Sequence, residues 1–189
     1  MLKKVGLGLA VVVAVLLIVI ATRPPGFHVE RSVQVAAPAS VVYGEFATLE
    51  AFTAWMPWSD LDPAMHKEFS GPASGVGSSY SWVGNKRVGC GQMTVTELVP
   101  DSRVTYRLEF KEPMQVTNMT TLALAPACDG VKVTWSMEGD YDFVGKAFSL
   151  LMNMDGMIGP DFEKGLGRLK HRAEQAARQS ASAVTTKAP

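Results

Sequence analysis

The sequence predicts an α+β fold: a curved antiparallel sheet of about seven strands wrapped around a long C-terminal helix, with a transmembrane helix at the N-terminus. Three observations support this prediction. An uncharged apolar run occupies residues 5–21. Segments of alternating polarity, separated by short turns, fill the middle of the chain. Near the C-terminus, apolar residues recur at intervals of three or four, which is typical of a helix.

The apolar run at residues 5–21 follows Lys3 and Lys4. As a helix it would span roughly 26 Å, enough to cross the hydrocarbon core of a bilayer. A cleaved signal peptide is the alternative, but the residues ending at Ala21 are a poor cleavage site. We therefore expect residues 1–26 to form an uncleaved anchor and a short linker. The two lysines favour a cytoplasmic N-terminus and a domain on the outer or periplasmic side, although Arg23 weighs weakly against this.

One domain is expected over residues 27–178, followed by a disordered polar tail at 179–189. The domain begins with a strand from His28 to Val35, in which apolar and polar residues alternate. The next stretch carries Pro38 and Ser40, which suit a helix start, and then apolar residues at helical spacing. One or two short helices fit this pattern and should end before Pro57.

A run of antiparallel strands follows from His66 onward. The clearest lies at residues 103–111, where Val104, Tyr106, Leu108 and Phe110 alternate with polar residues. Similar segments lie at residues 78–84, 92–96, 115–124 and 131–139. Each has one apolar face, as expected for a sheet covered on one side.

The C-terminal part reads as helix in two stretches, residues 142–154 and 161–178. Gly156, Gly159 and Pro160 lie between them. Because proline and glycine disfavour the helix interior, we expect one long helix that is kinked or broken between Gly156 and Pro160.

A sheet that curls around a helix leaves space between the two, which is a natural ligand cavity. Methionines are frequent on the faces expected to line it, and flexible thioethers suit a wall that accepts varied shapes. A solid core is the alternative, and it is the simpler explanation for any single residue. The predicted cavity residues are Trp58, Tyr80, Trp82, Met93, Tyr106, Phe110, Asn118, Thr120, Trp135, Met137, Phe148 and Met152.

Three polar residues interrupt the apolar faces. Asn118 and Thr120 share the parity of apolar neighbours, so they either face a wet interior or are turned outward by a bulge. A buried amide or hydroxyl without a partner costs about 1–3 kcal/mol, so an inward position requires water or a ligand's polar group. Arg31 shares the parity of Val29 and Val33; a charge there needs a partner, unless it lies at the edge of the sheet.

No metal, cofactor or catalytic residue is predicted. His28, His66 and His171 lack the spacing of metal ligands. Asp60 and Asp62 follow Trp58 in a loop, where carboxylates commonly accept hydrogen bonds from local backbone.

Cys90 and Cys128 are expected to be free thiols. The order of strands places them at opposite ends of the sheet, roughly 33 Å apart for ten residues of strand. That separation is far beyond the reach of a disulfide.

The charge balance argues against nucleic acid as a partner. Lysine plus arginine equals aspartate plus glutamate, 18 each, and no basic run is interleaved with aromatic residues. Binding to a phosphate backbone depends on such a basic excess.

Several stretches resemble the polyketide cyclase/dehydrase and lipid-transport superfamily, also called SRPBCC or START-like, particularly its bacterial members. They are "VERSVQVAAPASVVYGEF", "WMPWSDLDPAM", "FSGPASGVGSSYSWVGNKRVGCGQMTV", "VTWSMEGDYDF" and "NMDGMIGPDFEKGLGRLK". The likeness extends from Phe27 to Glu174 and implies the helix-grip fold. The superfamily includes cyclases, hydratases, lipid carriers and hormone receptors, so the resemblance does not select one function.

Three functions remain open at this stage. The preferred one is non-enzymatic binding of a hydrophobic small molecule or lipid by a membrane-tethered domain. The second is a cyclase, dehydratase or hydrolase, which would place Arg31, Asp60 or Asp155 in the pocket beside Tyr80. The third is a protein-interaction module without a small ligand.

Overall fold

The computed structural model describes residues 2–112, 115–150 and 152–186. An N-terminal helix α1 (Leu2–Ala21) precedes the domain. The strands are β1 (Gly26–Val35), β2 (His66–Ser70), β3 (Ser79–Val83), β4 (Cys90–Val99), β5 (Arg103–Glu112), β6 (Val116–Ala127) and β7 (Gly130–Asp140). The other helices are α2 (Ala39–Gly44), α3 (Leu49–Trp55), a 3₁₀ helix (Pro57–Asp60), α4 (Phe143–Phe148) and α5 (Met154–Thr186).

The seven strands form one antiparallel sheet in the order β1-β7-β6-β5-β4-β3-β2. Its curved face packs against α5, which confirms the predicted α+β architecture. Strands that follow one another from β2 to β7 are neighbours, while β1 joins the far edge beside β7. A bulge in β4 shifts the register between Val95 and Glu97, and bulges increase the local bend of a strand.

An aromatic cluster holds α5 on the sheet. Trp135 of β7 stacks on Phe162 of α5 with ring centroids 4.1 Å apart, and Trp55 meets Trp135 edge-on at 5.4 Å. Gly165 permits this close approach, because a Cβ there would lie 2.7 Å from the Trp135 ring. The segment around Trp55 is therefore part of the core that fixes helix against sheet.

The predicted helix break between Gly156 and Pro160 is wrong. The chain leaves helix after Phe148 and resumes it at Met154, so all three residues lie inside α5. Pro160 lies in the second turn of α5, where its missing N–H removes one hydrogen bond, to the Gly156 carbonyl.

The other end of α5 also differs from the expectation. The helix continues to Thr186, into the segment expected to be a disordered tail, while residues 187–189 lie outside the described part of the chain. The hydroxyl of Ser180 donates to the Ala176 carbonyl at 3.0 Å, and that of Ser182 to the Arg178 carbonyl at 2.9 Å. These serines therefore satisfy their hydroxyls within the helix.

The α1 helix is long and apolar enough to cross a membrane, with a mean hydropathy of 2.8 over Lys4–Ala21. Only 6% of that window is buried inside the protein. The linker after it is fixed to the domain, because the Tyr141 backbone N–H donates to the Pro25 carbonyl at 2.6 Å.

The two cysteines lie where the strand order predicts. Cys90 begins β4, and Cys128 lies in the turn between β6 and β7 at the other end of the sheet. Both are free thiols.

Candidate functional site

A cavity of about 270 Å³ lies between the sheet, the 3₁₀ helix and the start of α5. Seven of the predicted cavity residues line it: Trp58, Tyr80, Trp82, Met93, Phe110, Asn118 and Met137. The sheet supplies all of these except Trp58, which extends from the 3₁₀ helix. The aromatic and methionine pattern therefore places most of these side chains around one space.

Eight further residues complete the wall, and they were not in the predicted set: Met56, Met65, Arg87, Val88, Leu108, Val116, Met154 and Ile158. Met154 and Ile158 are four apart on α5, a spacing that could have indicated one shared face. Arg87 and Val88 belong to the turn between β3 and β4, which no periodic pattern positions.

Three predicted residues lie in the solid core instead. Trp135 donates its indole N–H to the Thr120 hydroxyl at 2.9 Å, and Thr120 donates to the Ser136 carbonyl at 2.8 Å. Tyr106 donates its hydroxyl to the Phe46 carbonyl. Thr120 thus faces inward, but its hydroxyl is satisfied by protein and requires no ligand.

Phe148 and Met152 lie outside the cavity for a different reason. They are 50% and 42% exposed: Phe148 is the last residue of α4, and Met152 lies in the connection between α4 and α5. The helical residues from this part of the chain that do line the cavity are Met154 and Ile158 of α5.

Two polar groups face the cavity without a hydrogen-bond partner in the described part of the chain. They are the Tyr80 hydroxyl and the Asn118 side-chain amide, on residues that are 2% and 8% exposed. Gly139 gives the amide its room, since a Cβ there would lie 2.1 Å from Asn118 Oδ1. Burial raises the pKa of the Tyr80 phenol, so this group stays protonated and can donate.

Arg87 supplies a cation at the rim. It is exposed, lines the cavity and forms no ion pair within the residues that the structure describes. By contrast, Arg31, Arg103 and Arg168 are each within 3 Å of a carboxylate. An unpaired guanidinium beside an apolar space suits a ligand with a polar or anionic end.

The 3₁₀ helix that carries Trp58 is bound to α5 through the carboxylate of Asp60. Asp60 accepts from Lys164 at 2.8 Å and pairs with Arg168. These partners, Arg168 foremost, lower the pKa of Asp60 to about 2. Asp62 accepts from the Asn85 backbone N–H at 2.7 Å and from that of Ala64 at 3.2 Å. Both carboxylates therefore have structural partners, and neither lines the cavity.

Arg31 finds its partners on α5, at the surface. Its guanidinium contacts Asp155 at 2.7 Å and Glu163 at 2.8 Å. These hydrogen bonds, first that to Asp155, raise the pKa of Arg31, and Arg31 in turn lowers the pKa of Asp155. Gly159 leaves space for the guanidinium, because a Cβ there would lie 2.1 Å from Arg31 Nη2. The partners that Arg31 requires are thus two carboxylates of α5, and the ion pairs join β1 to α5 at the surface.

A second, larger depression of about 460 Å³ lies between the linker and the connection from α4 to α5. Arg23, His28 and Asp155 contribute to it, and it is more open to solvent than the first. The cavity around Tyr80 is the better candidate site because it is enclosed and mostly apolar. No group of three or more His, Cys, Asp or Glu side chains among the described residues could hold a metal ion.

Residues 26–174 match the protein family described as polyketide cyclase / dehydrase and lipid transport. The chain belongs to this family. None of the curated proteins matches the sequence. The family match and the helix-grip architecture agree with the resemblance noted in the sequence.

Solved structures share the fold at low sequence identity. A Chromobacterium violaceum protein is 20% identical with a TM-score of 0.55, over 80% of this chain and 99% of that one. A Thermobifida fusca protein is 22% identical with a TM-score of 0.58, over 78% and 93% of the two chains. The di-domain ARO/CYC StfQ from the steffimycin biosynthetic pathway is 10% identical with a TM-score of 0.58, over 80% and 52%.

Proposed function

We propose that this protein binds a hydrophobic small molecule, or the apolar part of a lipid, in the cavity around Tyr80. One observation carries the proposal: the wall of the cavity is apolar apart from Arg87 at the rim and two inward polar groups, the Tyr80 hydroxyl and the Asn118 amide. Both groups are therefore free to form hydrogen bonds with a polar end of a ligand, while the rest of the wall accepts its apolar part.

The size of the cavity limits the ligand. At about 270 Å³ it lies near the lower end of ligand pockets, which run from roughly 300 to 1,000 Å³. It therefore suits a small apolar molecule or a single acyl chain rather than a whole two-chain lipid. Binding would be driven by removal of apolar area from water, at about 25 cal/mol per Å². Tyr80 and Asn118 would fix the orientation.

Anchoring by α1 is the second part of the proposal. An apolar helix of this length would hold the domain beside a bilayer, which is a source of hydrophobic ligands. Lys3 and Lys4 favour a cytoplasmic N-terminus and a domain on the outer side. The family description, which includes lipid transport, supports a ligand of this class.

Native mass spectrometry of the full chain, released from detergent micelles, tests the binding. We expect a co-purified ligand, or an adduct when decanoic acid is added as a probe. Ile158→Trp should block the cavity and abolish the adduct. Met157→Trp is the matched control, since Met157 is the adjacent residue and is 55% exposed. Absence of any adduct in the wild-type chain, or its full retention in Ile158→Trp, would contradict the proposal.

A further inference from the structure

The α4 helix lies at the end of the sheet where α1 enters the domain. β1 begins at Gly26, which pairs with Asp140, the last residue of β7. α4 begins at Phe143, directly after β7. The linker and α4 therefore share one end of the sheet.

This short helix exposes an unusual amount of apolar surface. Phe143 is 54% exposed, Val144 57% and Phe148 50%. At about 100° per residue, these three side chains and Ala147 fall within an arc of roughly 140°. Lys146 lies outside this arc, on the other side of the helix. The exposed apolar residues thus form a single stripe rather than scattered positions.

The position of α1 indicates that a bilayer would lie next to this exposed stripe. α4 packs against α1, and Ile20, near the end of α1, is buried, whereas residues 4–19 and Ala21 are exposed. The bond from the Tyr141 N–H to the Pro25 carbonyl fixes the linker on the same side. α4 is therefore held next to the point where α1 would leave the bilayer.

We propose that α4 lies in the membrane interface, with Phe143, Val144 and Phe148 inserted among the acyl chains and Lys146 directed toward the headgroups. This arrangement is typical of short amphipathic helices on membranes. It rests on the proposed anchoring by α1, and it goes beyond that proposal by assigning a second contact with the bilayer. A second contact fixes the orientation of the domain, which a single tethering helix does not.

That orientation turns the rim of the cavity toward the lipid. The exposed members of the cavity wall are Arg87 and Val116, the latter 39% exposed. Val116 pairs with Phe110, and Asn118 two residues later pairs with Gly139, beside the end of β7. The rim therefore lies at the same end of the sheet as α4 and the linker.

Nitroxide labels on the full chain test this arrangement. The protein, with Cys90→Ser and Cys128→Ser, is placed in nanodiscs of phosphatidylethanolamine and phosphatidylglycerol. Single labels are attached through Val144→Cys, Phe148→Cys, Val12→Cys or Val76→Cys. Val76 is the matched control, since it is 60% exposed but lies in the loop between β2 and β3, at the other end of β3 from the turn that carries Arg87. Frequent collision of a nitroxide with oxygen indicates that the label lies in lipid. Frequent collision with a water-soluble nickel chelate indicates that it lies in solvent.

We expect the oxygen-to-nickel accessibility ratio at positions 144 and 148 to exceed that at position 76 severalfold and to approach that at position 12. Ratios at 144 and 148 equal to that at 76, with position 12 in lipid, would overturn the inference and leave the anchor intact. Spin–spin broadening at 144 and 148 would identify a second copy of the chain as the occupant and would also overturn it. A water-exposed label at position 12 would overturn the anchor and this inference together, while leaving the adduct in native mass spectrometry unaffected.

Discussion

Trp58 donates its indole N–H to Asp161 Oδ2 at 2.9 Å, which ties one wall of the cavity to the helix that covers it. The ring also meets Trp135 edge-on, with centroids 5.8 Å apart. Trp55, three residues earlier, is only 1% exposed and donates to the Glu45 carbonyl at 2.8 Å. Two tryptophans in one short segment therefore have separate tasks: one belongs to the core and the other to the cavity.

Trp55→Ala and Trp58→Ala should separate stability from binding. Removing Trp55 leaves a void in the core, so we expect a loss of about 3–5 kcal/mol in the free energy of unfolding. Removing the half-buried Trp58 should cost less stability but reduce retention of decanoic acid in native mass spectrometry severalfold. Urea unfolding supplies the first measurement. The opposite pattern would mean that the two roles are reversed.

Gly159→Ala should destabilise the fold through Arg31. The new Cβ would lie 2.1 Å from Arg31 Nη2, so the guanidinium must move away from Asp155 and Glu163. Because the guanidinium is the mobile end of a side chain in surface ion pairs, we expect only a modest loss of stability by chemical unfolding. In the double variant Gly159→Ala/Arg31→Ala the clash is absent, so its cost should be clearly less than the sum of the two single changes.

Gly167→Ala is the control for that experiment. Gly167 lies in the same helix, but a Cβ there meets nothing within 4 Å. Alanine is favoured over glycine in a helix interior, so stability should rise by up to about 1 kcal/mol. A loss at both glycines would show that the effect at Gly159 is not specific to Arg31.

The ion pairs of Asp60 should contribute stability that disappears in acid. Arg168 and Lys164 lower the pKa of Asp60 from 3.8 to about 2. The folded state therefore binds this proton less readily than the unfolded state, and stability falls as the pH drops from about 4 to about 2. Asp60→Asn should show a smaller fall in melting midpoint over that range. Equal dependence of the melting midpoint on pH in the two proteins would contradict the prediction. Because Asp60, Lys164 and Arg168 lie at the surface, high salt should also weaken the difference.

Two tyrosines should respond oppositely to loss of the hydroxyl. Tyr43 Oη is buried without a partner among the described residues, so Tyr43→Phe should leave stability unchanged or raise it by up to about 1 kcal/mol. Tyr106 donates to the Phe46 carbonyl in the core, so Tyr106→Phe should cost about 1–3 kcal/mol. Equilibrium unfolding of both variants checks the contrast, and a marked loss in Tyr43→Phe would indicate a partner for its hydroxyl.

Local patterns were sufficient for the sheet. The alternation of Val104, Tyr106, Leu108 and Phe110 predicts both the strand and its buried face, because a strand covered on one side places every second residue inward. The same alternation could not separate Tyr106 from Phe110. Both face inward, but Tyr106 contacts Phe46 and Phe52, whereas Phe110 lies beside the cavity. The alternation does not show how far the segment with Phe46 and Phe52 extends over the sheet.

The errors lie where tertiary contacts override local preference. Gly159 and Pro160 suggest a helix break, but the ion pairs of Arg31 with Asp155 and Glu163 hold this part of α5 against β1. Arg87 was missed for a related reason. It lies in a turn without periodicity, and its place at the rim depends on how β3 and β4 approach α5.

The short linker after α1 has a consequence for the proposed binding of ligand at a membrane. Only residues 22–25 separate α1 from β1, a reach of at most about 14 Å, and the Pro25 carbonyl accepts a hydrogen bond from Tyr141. If α1 anchors the chain as proposed, so short a linker keeps the cavity close to the bilayer. Ligand exchange would then be confined to a thin layer above the membrane, where the local concentration of lipid far exceeds that in the surrounding water.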